Sequence, residues 1–416
     1  MGVPISSRGW TIRRTLTVLP VVSLILTGVA LEVGCGSSNA QNVTNNAPPQ
    51  PNYPSVPPVS TTGWSPSTSP LPAPAANTTL PPLLTGSNDF PLSVASPVTN
   101  TTVTSPVNVV ASATPKNPIY FMRVYDLNSS DPTSSISDYF TFTNSINAQI
   151  FLAPGPHTLL VMAEDKQGYV SATPLNITVS SQQQQTTISG IQAIQSWQSC
   201  GGLFPTGSGR DGQICAAGGG TPNFSITYNQ SSPAMDGNST EFSISPTGPD
   251  TPCPGYCNEL SFNAVAGGNN VSHFVYDLYF YIDDPTAPQA LEFDINQTFG
   301  GNRWVWGSEC NFKADGVWDI WDDAPNTGWE PTSIPCKATD FQANSWNHLI
   351  WDVQRSGNSV QYNTLTINGT VYPVATTYPF QQNWTLEEID VAFQMDLDEV
   401  GTPYHVWLDK VNLTAY

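Results

Sequence analysis

Charge is what this sequence has least of. Only 11% of its 416 residues are Asp, Glu, Lys or Arg, against roughly 25% in ordinary soluble domains. The shortage falls mainly on cations, because 12 Lys and Arg face 32 Asp and Glu for a net charge of −20. No basic patch exists to neutralise phosphates, which excludes nucleic acid as a partner. Histidine is scarce as well, at four. None stands in a Ser/His/Asp or Cys/His context, so no histidine receives a catalytic role. Also missing is any long segment with 3.6-residue apolar periodicity, which excludes a helical fold. Gly, Pro, Ser, Thr and Asn fill the gap, as in turn-dense all-β proteins.

The one long apolar run, TLTVLPVVSLILTGVAL at 15–31, follows Arg8, Arg13 and Arg14. A positive segment before such a run reads as an export leader covering residues 1–35. Three fates are open. Cys35 after Val33-Gly34 resembles a bacterial lipobox, with Glu32 where an aliphatic residue is usual, and lipidation there would anchor the chain to a membrane. Cleavage after Ser38-Asn39-Ala40 would release it, and an uncleaved signal anchor would retain it. Arg13-Arg14 with Leu16 gives only a weak twin-arginine pattern. The expected location is extracytoplasmic, secreted or tied to the cell envelope, with membrane contact only through a lipid anchor.

Setting Cys35 aside leaves Cys200, Cys215, Cys253, Cys257, Cys310 and Cys336, confined to one region. An even set in an exported chain implies three disulfides. Sequence separation favours neighbours: Cys200–Cys215, Cys253–Cys257 and Cys310–Cys336. No spacing suits a structural metal, and Cys253-Pro-Gly-Tyr-Cys257 reads as a stapled turn.

Residues 36–88 are rich in Pro, Ser and Thr and read as an extended stalk with polyproline character. Strand-like alternation then appears in 101–114, 119–127, 138–153, 157–165 and 175–181, separated by turn signals. A cysteine-free β-sandwich over 89–181 follows. The pieces SPVNVVASA, APGPHTLLVMAEDKQGYV and NITVS resemble bacterial immunoglobulin-like modules, a resemblance that implies a spacer. A polar linker is expected at 182–187, and a second β domain at 188–416.

Within that second domain the strand ALEFDIN points Leu291, Phe293 and Ile295 one way and Glu292, Asp294 and Asn296 the other. The aromatic strand NRWVWGSECNF follows, then SWNHLIWDVQRSGNSVQYNTLTINGTVYPV and the closing HVWLDKVNLTAY. This order resembles concanavalin A-like lectins and glucanases over about residues 225–416, and it implies a jelly-roll sandwich. In the glucanases the equivalent strand reads E-x-D-x-E, with a Glu nucleophile first and an acid/base Glu last. Glu292 and Asp294 match the first two positions, but Asn296 cannot donate a proton as a carboxylic acid does. Glu309 or Asp319 on a neighbouring strand is a possible substitute. The lectins bind metal through a similar Glu-x-Asp strand and a loop Asn, which here would be Asp294 and Asn302. This leaves a lone Ca²⁺ open as a cofactor, beside the alternative that these acids only hydrogen-bond within a polar concave face.

Trp304, Trp306, Trp318, Trp321 and Trp329 fall close together, framed by the expected Cys310–Cys336 bridge. Trp304 and Trp306 share a strand face, expected to be the acid face. Rings stack well on sugars and carboxylates accept hydroxyls. The candidate glycan site is thus Glu292, Asp294, Asn296, Trp304, Trp306, Trp318 and Trp321, with Asp319, Asp322 and Asp323 nearby. Trp346, Trp351 and Trp407 are expected in the core. The preferred function is non-catalytic binding of a polysaccharide or other glycan by a monomer. Its rivals are a glycan hydrolase or lyase using Glu292 and Asp294, and a structural or adhesion module of the envelope.

Overall fold

The computed structural model describes residues 88–127, 139–182, 185–195, 197–199, 222–247, 256–300, 302–313, 316–324, 327–382, 388–398 and 400–416. The leader, Cys35, the stalk up to residue 87, and Cys200, Cys215 and Cys253 lie outside these residues.

The described chain is β throughout apart from single 3-10 turns. Its first part holds β1 (Leu92–Ser96), β2 (Thr101–Ser105), β3 (Val107–Ala113) and β4 (Ile119–Asp126). Next come β5 (Tyr139–Thr141), β6 (Ser145–Phe151), β7 (Gly155–Asp165) and β8 (Val170–Gln182). The expected strand at 138–153 is therefore two strands. Thr141 and Thr143 bond each other's side chains at 3.1 Å, and Thr143 Oγ1 donates to the Ser145 carbonyl at 2.6 Å, closing a turn between them. Strands β2-β8-β7-β4-β5 form one sheet, and β1-β3-β6 face it. Alternate residues of both, such as Val109, Ile146, Ile150, Val161 and Ile177, interdigitate as one core.

The second part begins with β9 (Thr186–Ser189), β10 (Gln198–Ser199), β11 (Asn223–Gln230), β12 (Ser239–Ser245) and β13 (Tyr256–Gly268). It continues through β14 (His273–Ile282), β15 (Pro288–Phe299), β16 (Asn302–Trp306), β17 (Ser308–Asn311), β18 (Val317–Trp321) and β19 (Trp329–Pro335). Then follow β20 (Ser345–Ser356), β21 (Ser359–Ile367), β22 (Thr370–Pro379), β23 (Gln381–Gln382), β24 (Glu388–Asp398) and β25 (Tyr404–Ala415). Strand β9 pairs with β25, so Thr186 and Thr187 of the expected linker are already sheet.

Two antiparallel sheets face each other here. One runs β13-β24-β15-β17-β18-β19 and the other β11-β12-β25-β14-β20-β21-β22. The late strand β24 inserts between β13 and β15, while β25 inserts between β12 and β14. That return of the chain between older strands is the Greek-key closure of a jelly-roll sandwich. Strand β14 alternates half-buried and buried at every residue, with one face on the core and one toward solvent. Strand β24 is buried along its whole length and β15 along nearly all of it, so both of their faces are covered.

The two sandwiches share a sheet. Strand β6 pairs in parallel with the end of β13, matching Gln149 with Ala266, Ile150 with Gly267 and Phe151 with Gly268. Phe151 packs in the core of the second sandwich, and Tyr139 donates from its hydroxyl to the Ala264 carbonyl at 3.4 Å. Gly268 makes this approach possible. Its φ is +90°, and a Cβ there would sit 2.3 Å from the Phe151 carbonyl oxygen. Gly268→Ala should cost about 2–4 kcal/mol through backbone strain and this clash. The expected thermal melt of the full chain splits as the sandwiches uncouple, and a single unshifted transition would refute a structural junction.

Candidate functional site

Strand β15 turns directly into β16, with Phe299 opposite Asn302. The same register continues past Gly307 into β17, so Glu292 lies opposite Glu309 and Ala290 opposite Asn311. Glu309 in turn opposes Asp319 of β18, and on the other side Glu292 opposes Gln394 of β24. Directly opposed residues share a sheet face. A lateral row Gln394–Glu292–Glu309–Asp319 therefore crosses four strands on the face away from the core. Asp396, two residues along β24 on the same face, stands diagonal to Glu292.

This row is buried. Glu292 and Glu309 are each 1% exposed and Asp396 is 2% exposed. The Glu292 carboxylate accepts from the Gln394 amide, and Glu309 accepts from Asn311 Nδ2 at 3.3 Å. Asn311 also donates to Asp319 at 3.2 Å, and Asp294 Oδ1 accepts the Ser308 N–H at 2.9 Å. One oxygen on each of Glu292, Asp294, Glu309 and Asp396 has no hydrogen-bond partner. Burial is the main cause that pushes all four carboxyls upward, and mutual repulsion adds to it for Glu292 and Glu309. Asp294 rises to about 7 despite the Ser308 N–H and Arg303, and Asp396 to about 8.

Asn296 has a structural occupation that explains why it is not an acid. It accepts from Arg303 at 3.0 Å and donates to Asp390 at 2.8 Å. A carboxylate could do the first but not the second. Of the two acids weighed as a substitute for an acid at this position, Glu309 lies directly opposite Glu292 on the neighbouring strand, and Asp319 lies one strand further.

The tryptophans depart from expectation. Trp304 opposes Gln297 and Trp306 opposes Ile295, so both point into the core, away from the acids. Trp304 stacks between Phe299 and Phe380 at 4.6 and 5.2 Å, and Trp318 packs edge-on against Trp351. Trp321 alone of the candidate rings shares the acid face, buried against Val305 and Trp329, with its N–H donated to Asp323. The Asp294–Asn302 metal pair is also corrected. Asn302 opposes Phe299, five residues along β15 from Asp294, a separation of roughly 17 Å. The Cys310–Cys336 bridge is present with a Cα separation of 5.5 Å, and Cys257 is disulfide-bonded as well.

Sequence reasoning missed a second cluster on the outer face of β25, β14 and β20. Trp407, Tyr281 and Trp346 are directly opposed across these three strands. Tyr281 meets each Trp ring at 5.5 Å. Of the three tryptophans expected in the core only Trp351 is there, whereas Trp346 and Trp407 are half-buried on this outer face. Their place follows from the strict alternation of β14, which puts Tyr279 and Tyr281 outward. Three His–Asp pairs share the face: His405 with Asp283 at 2.7 Å, His348 with Asp277 at 2.7 Å and His273 with Asp352 at 2.8 Å. His348 also stacks on Tyr279 at 4.1 Å. The His405 and Asp277 side chains are 42% and 39% exposed, so this cluster is reachable from solvent.

No family model and no curated protein matches the chain. Among solved structures it is similar to a carbohydrate-binding module of the β-sandwich superfamily, at 10% identity over 77% of this chain and 96% of that one, with a TM-score of 0.27. Peanut lectin is similar at 10% identity over 56% and 98%, with a TM-score of 0.28. A prokaryotic β-1,3-1,4-glucanase derived from a mouse hindgut metagenome is similar at 11% identity over 56% and 98%, with a TM-score of 0.33. Likeness at this level carries no functional weight, and the fold assignment rests on the strand order itself.

The acid row makes stability depend on pH. A carboxyl held above its ordinary value keeps a proton in the folded state that the unfolded chain has already released. Its contribution is fully present below about pH 4 and is lost as pH rises through the folded values of about 7 and 8. Glu292, Asp294, Glu309, Asp319 and Asp396 face one another here, with Arg303 the cation acting on Asp294. In metal-free buffer the melting temperature should fall between pH 5 and 8, and Asp396→Asn should flatten that fall. Parallel wild-type and variant profiles would contradict the assignment.

Proposed function

We propose that this is an extracytoplasmic glycan-binding protein that holds its ligand on the outer face of β25, β14 and β20. The observation that carries the reading is the aromatic strip Trp407–Tyr281–Trp346, reachable from solvent and edged by carboxylates. Rings two strands apart are separated by roughly 10 Å, about the span of two adjacent sugar rings. Sugar C–H faces stack on such rings, while Glu241, Asp277 and Asp283 accept hydroxyl donors. The buried acid row, in contrast, offers a ligand little surface. Disulfides support an oxidising compartment, in line with the export leader. The stalk and the first sandwich, read as an immunoglobulin-like spacer, would carry the binding face away from the point of attachment.

One observation favours a second reading. Glu309 supplies the carboxyl that the glucanase-like motif lacks at Asn296, directly across from Glu292. A retaining hydrolase needs two carboxyls about 5–5.5 Å apart. It also needs them to touch the glycosidic oxygen, and both are 1% exposed.

The test uses the full chain, because β6 and β13 couple the two sandwiches. Binding to soluble and insoluble polysaccharides is measured for wild type, Trp346→Ala and Trp407→Ala. Each variant should bind about 5–10-fold more weakly, from the loss of one stacked ring. Absence of glycan binding, or binding indifferent to both changes, would sink the proposal. Glycan cleavage that vanishes in Glu292→Gln would put the hydrolase in its place.

A further inference from the structure

We infer that Glu292, Glu309 and Asp396 form a buried site for one hard divalent cation, Ca²⁺, that ties β15, β17 and β24 together. The inference concerns the opposite sheet from the aromatic strip and does not rest on the glycan reading. Among the described residues this is the group whose geometry suits an ion: one carboxylate oxygen from each lies within 4.8 Å of the others. Ca²⁺ binds oxygens at 2.3–2.6 Å, so two ligands of one ion stand at most about 5 Å apart.

The second observation is the unused oxygens. Glu292 Oε2, Glu309 Oε2 and Asp396 Oδ1 are all buried without a hydrogen-bond partner. An orphaned carboxylate oxygen in the interior is expensive, and three carboxylates grouped this closely repel each other. Among the described residues no Lys or Arg acts on these three carboxyls. Arg303, the nearby guanidinium, acts on Asp294 and bonds Asn296. Lys313 pairs with Asp398, at 2.5 Å.

Ala290, directly opposite Asn311, carries only a methyl group beside this row. An all-oxygen donor set selects a hard ion over zinc or copper. Burial favours Ca²⁺ over Mg²⁺, which gives up its water shell reluctantly. The three ligands come from three strands, one of which, β24, is the strand inserted to close the sandwich. The ion would therefore act as a fold-locking clamp without any chemical step.

The experiment is thermal unfolding of the full chain in EDTA and in millimolar CaCl₂, repeated for Glu309→Gln, Asp396→Asn and Asp277→Asn. Wild type should gain about 5–10 °C on Ca²⁺ at a hundredfold excess over Kd. The gain should vanish in Glu309→Gln and Asp396→Asn and persist in Asp277→Asn, which alters an exposed acid on the other sheet. Both amide variants should fold, since each removes a buried repulsion while keeping the side chain's shape. Calcium titration calorimetry should give one site per chain in wild type and none in Glu309→Gln. A wild-type melt indifferent to EDTA and Ca²⁺ would overturn the inference and leave shared protons as the means of satisfying the row. A Ca²⁺ response that survives both amide variants would overturn it equally, by placing the ion elsewhere.

Discussion

Everything in the second sandwich depends on β15 and β24 being covered on both faces. One face of each supplies the core, through Leu291, Phe293 and Ile295 against Val391, Phe393 and Met395. The other carries Glu292, Asp294 and Asn296 against Asp390, Gln394 and Asp396. Apolar alternation alone would leave this second face wet. Because it is buried, each polar group on it must be answered by a partner, a proton or an ion. The amides meet this demand: Asn296 links Arg303 to Asp390, Gln394 serves Glu292, and Asn311 bridges Glu309 and Asp319. The carboxylates are only half answered, and the chemistry of the domain concentrates there.

The same constraint separates two side-chain clusters that a sequence-level reading merges. Glu292 and the tryptophans of 304–306 are close along the chain and joined by a tight hairpin, yet they belong to opposite faces. Acids inside and aromatics in the core make a structural centre, whereas the reachable aromatic strip lies on the other sheet altogether. Its His–Asp pairs hold Asp277, Asp283 and Asp352 in fixed orientation. Under the proposed glycan reading, pre-oriented acceptors beside rings would lower the ordering cost of binding a polyhydroxylated chain.

Much of the architecture was legible. Alternation in ALEFDIN identified its core face, and the five strand-like stretches after residue 100 fall on β2 to β8. The face of Trp304 and Trp306 was legible too, through a different signal. Gly300-Gly301 reads as a two-residue hairpin turn, which makes Phe299 face Asn302 and so sets Trp304 against Gln297. Carried further, that register also brings Glu309 to Glu292. Alternation counted from β15 without the turn loses this parity. What no local pattern contains is the order in which β13, β24 and β15 lie side by side, since Asp396 is distant in sequence from its neighbours. The parallel contact of β6 with β13 is equally non-local, with Gly268 its one visible mark.

The scarcity of charge gives the acid row its meaning. A chain with only 12 basic residues has few cations to spend inside. A carboxylate cluster without internal counter-charge is tolerated only if compensation comes from solvent. Protons can supply it at the cost of stability that falls toward neutral pH. A divalent ion supplies it without that loss, and it converts repulsion among three strands into attraction between them. The second arrangement makes use of a resource that the surrounding solution can provide. The acidic composition then ceases to be a mere surface property. Part of it is directed inward, at the point where the last-arriving strand closes the sandwich.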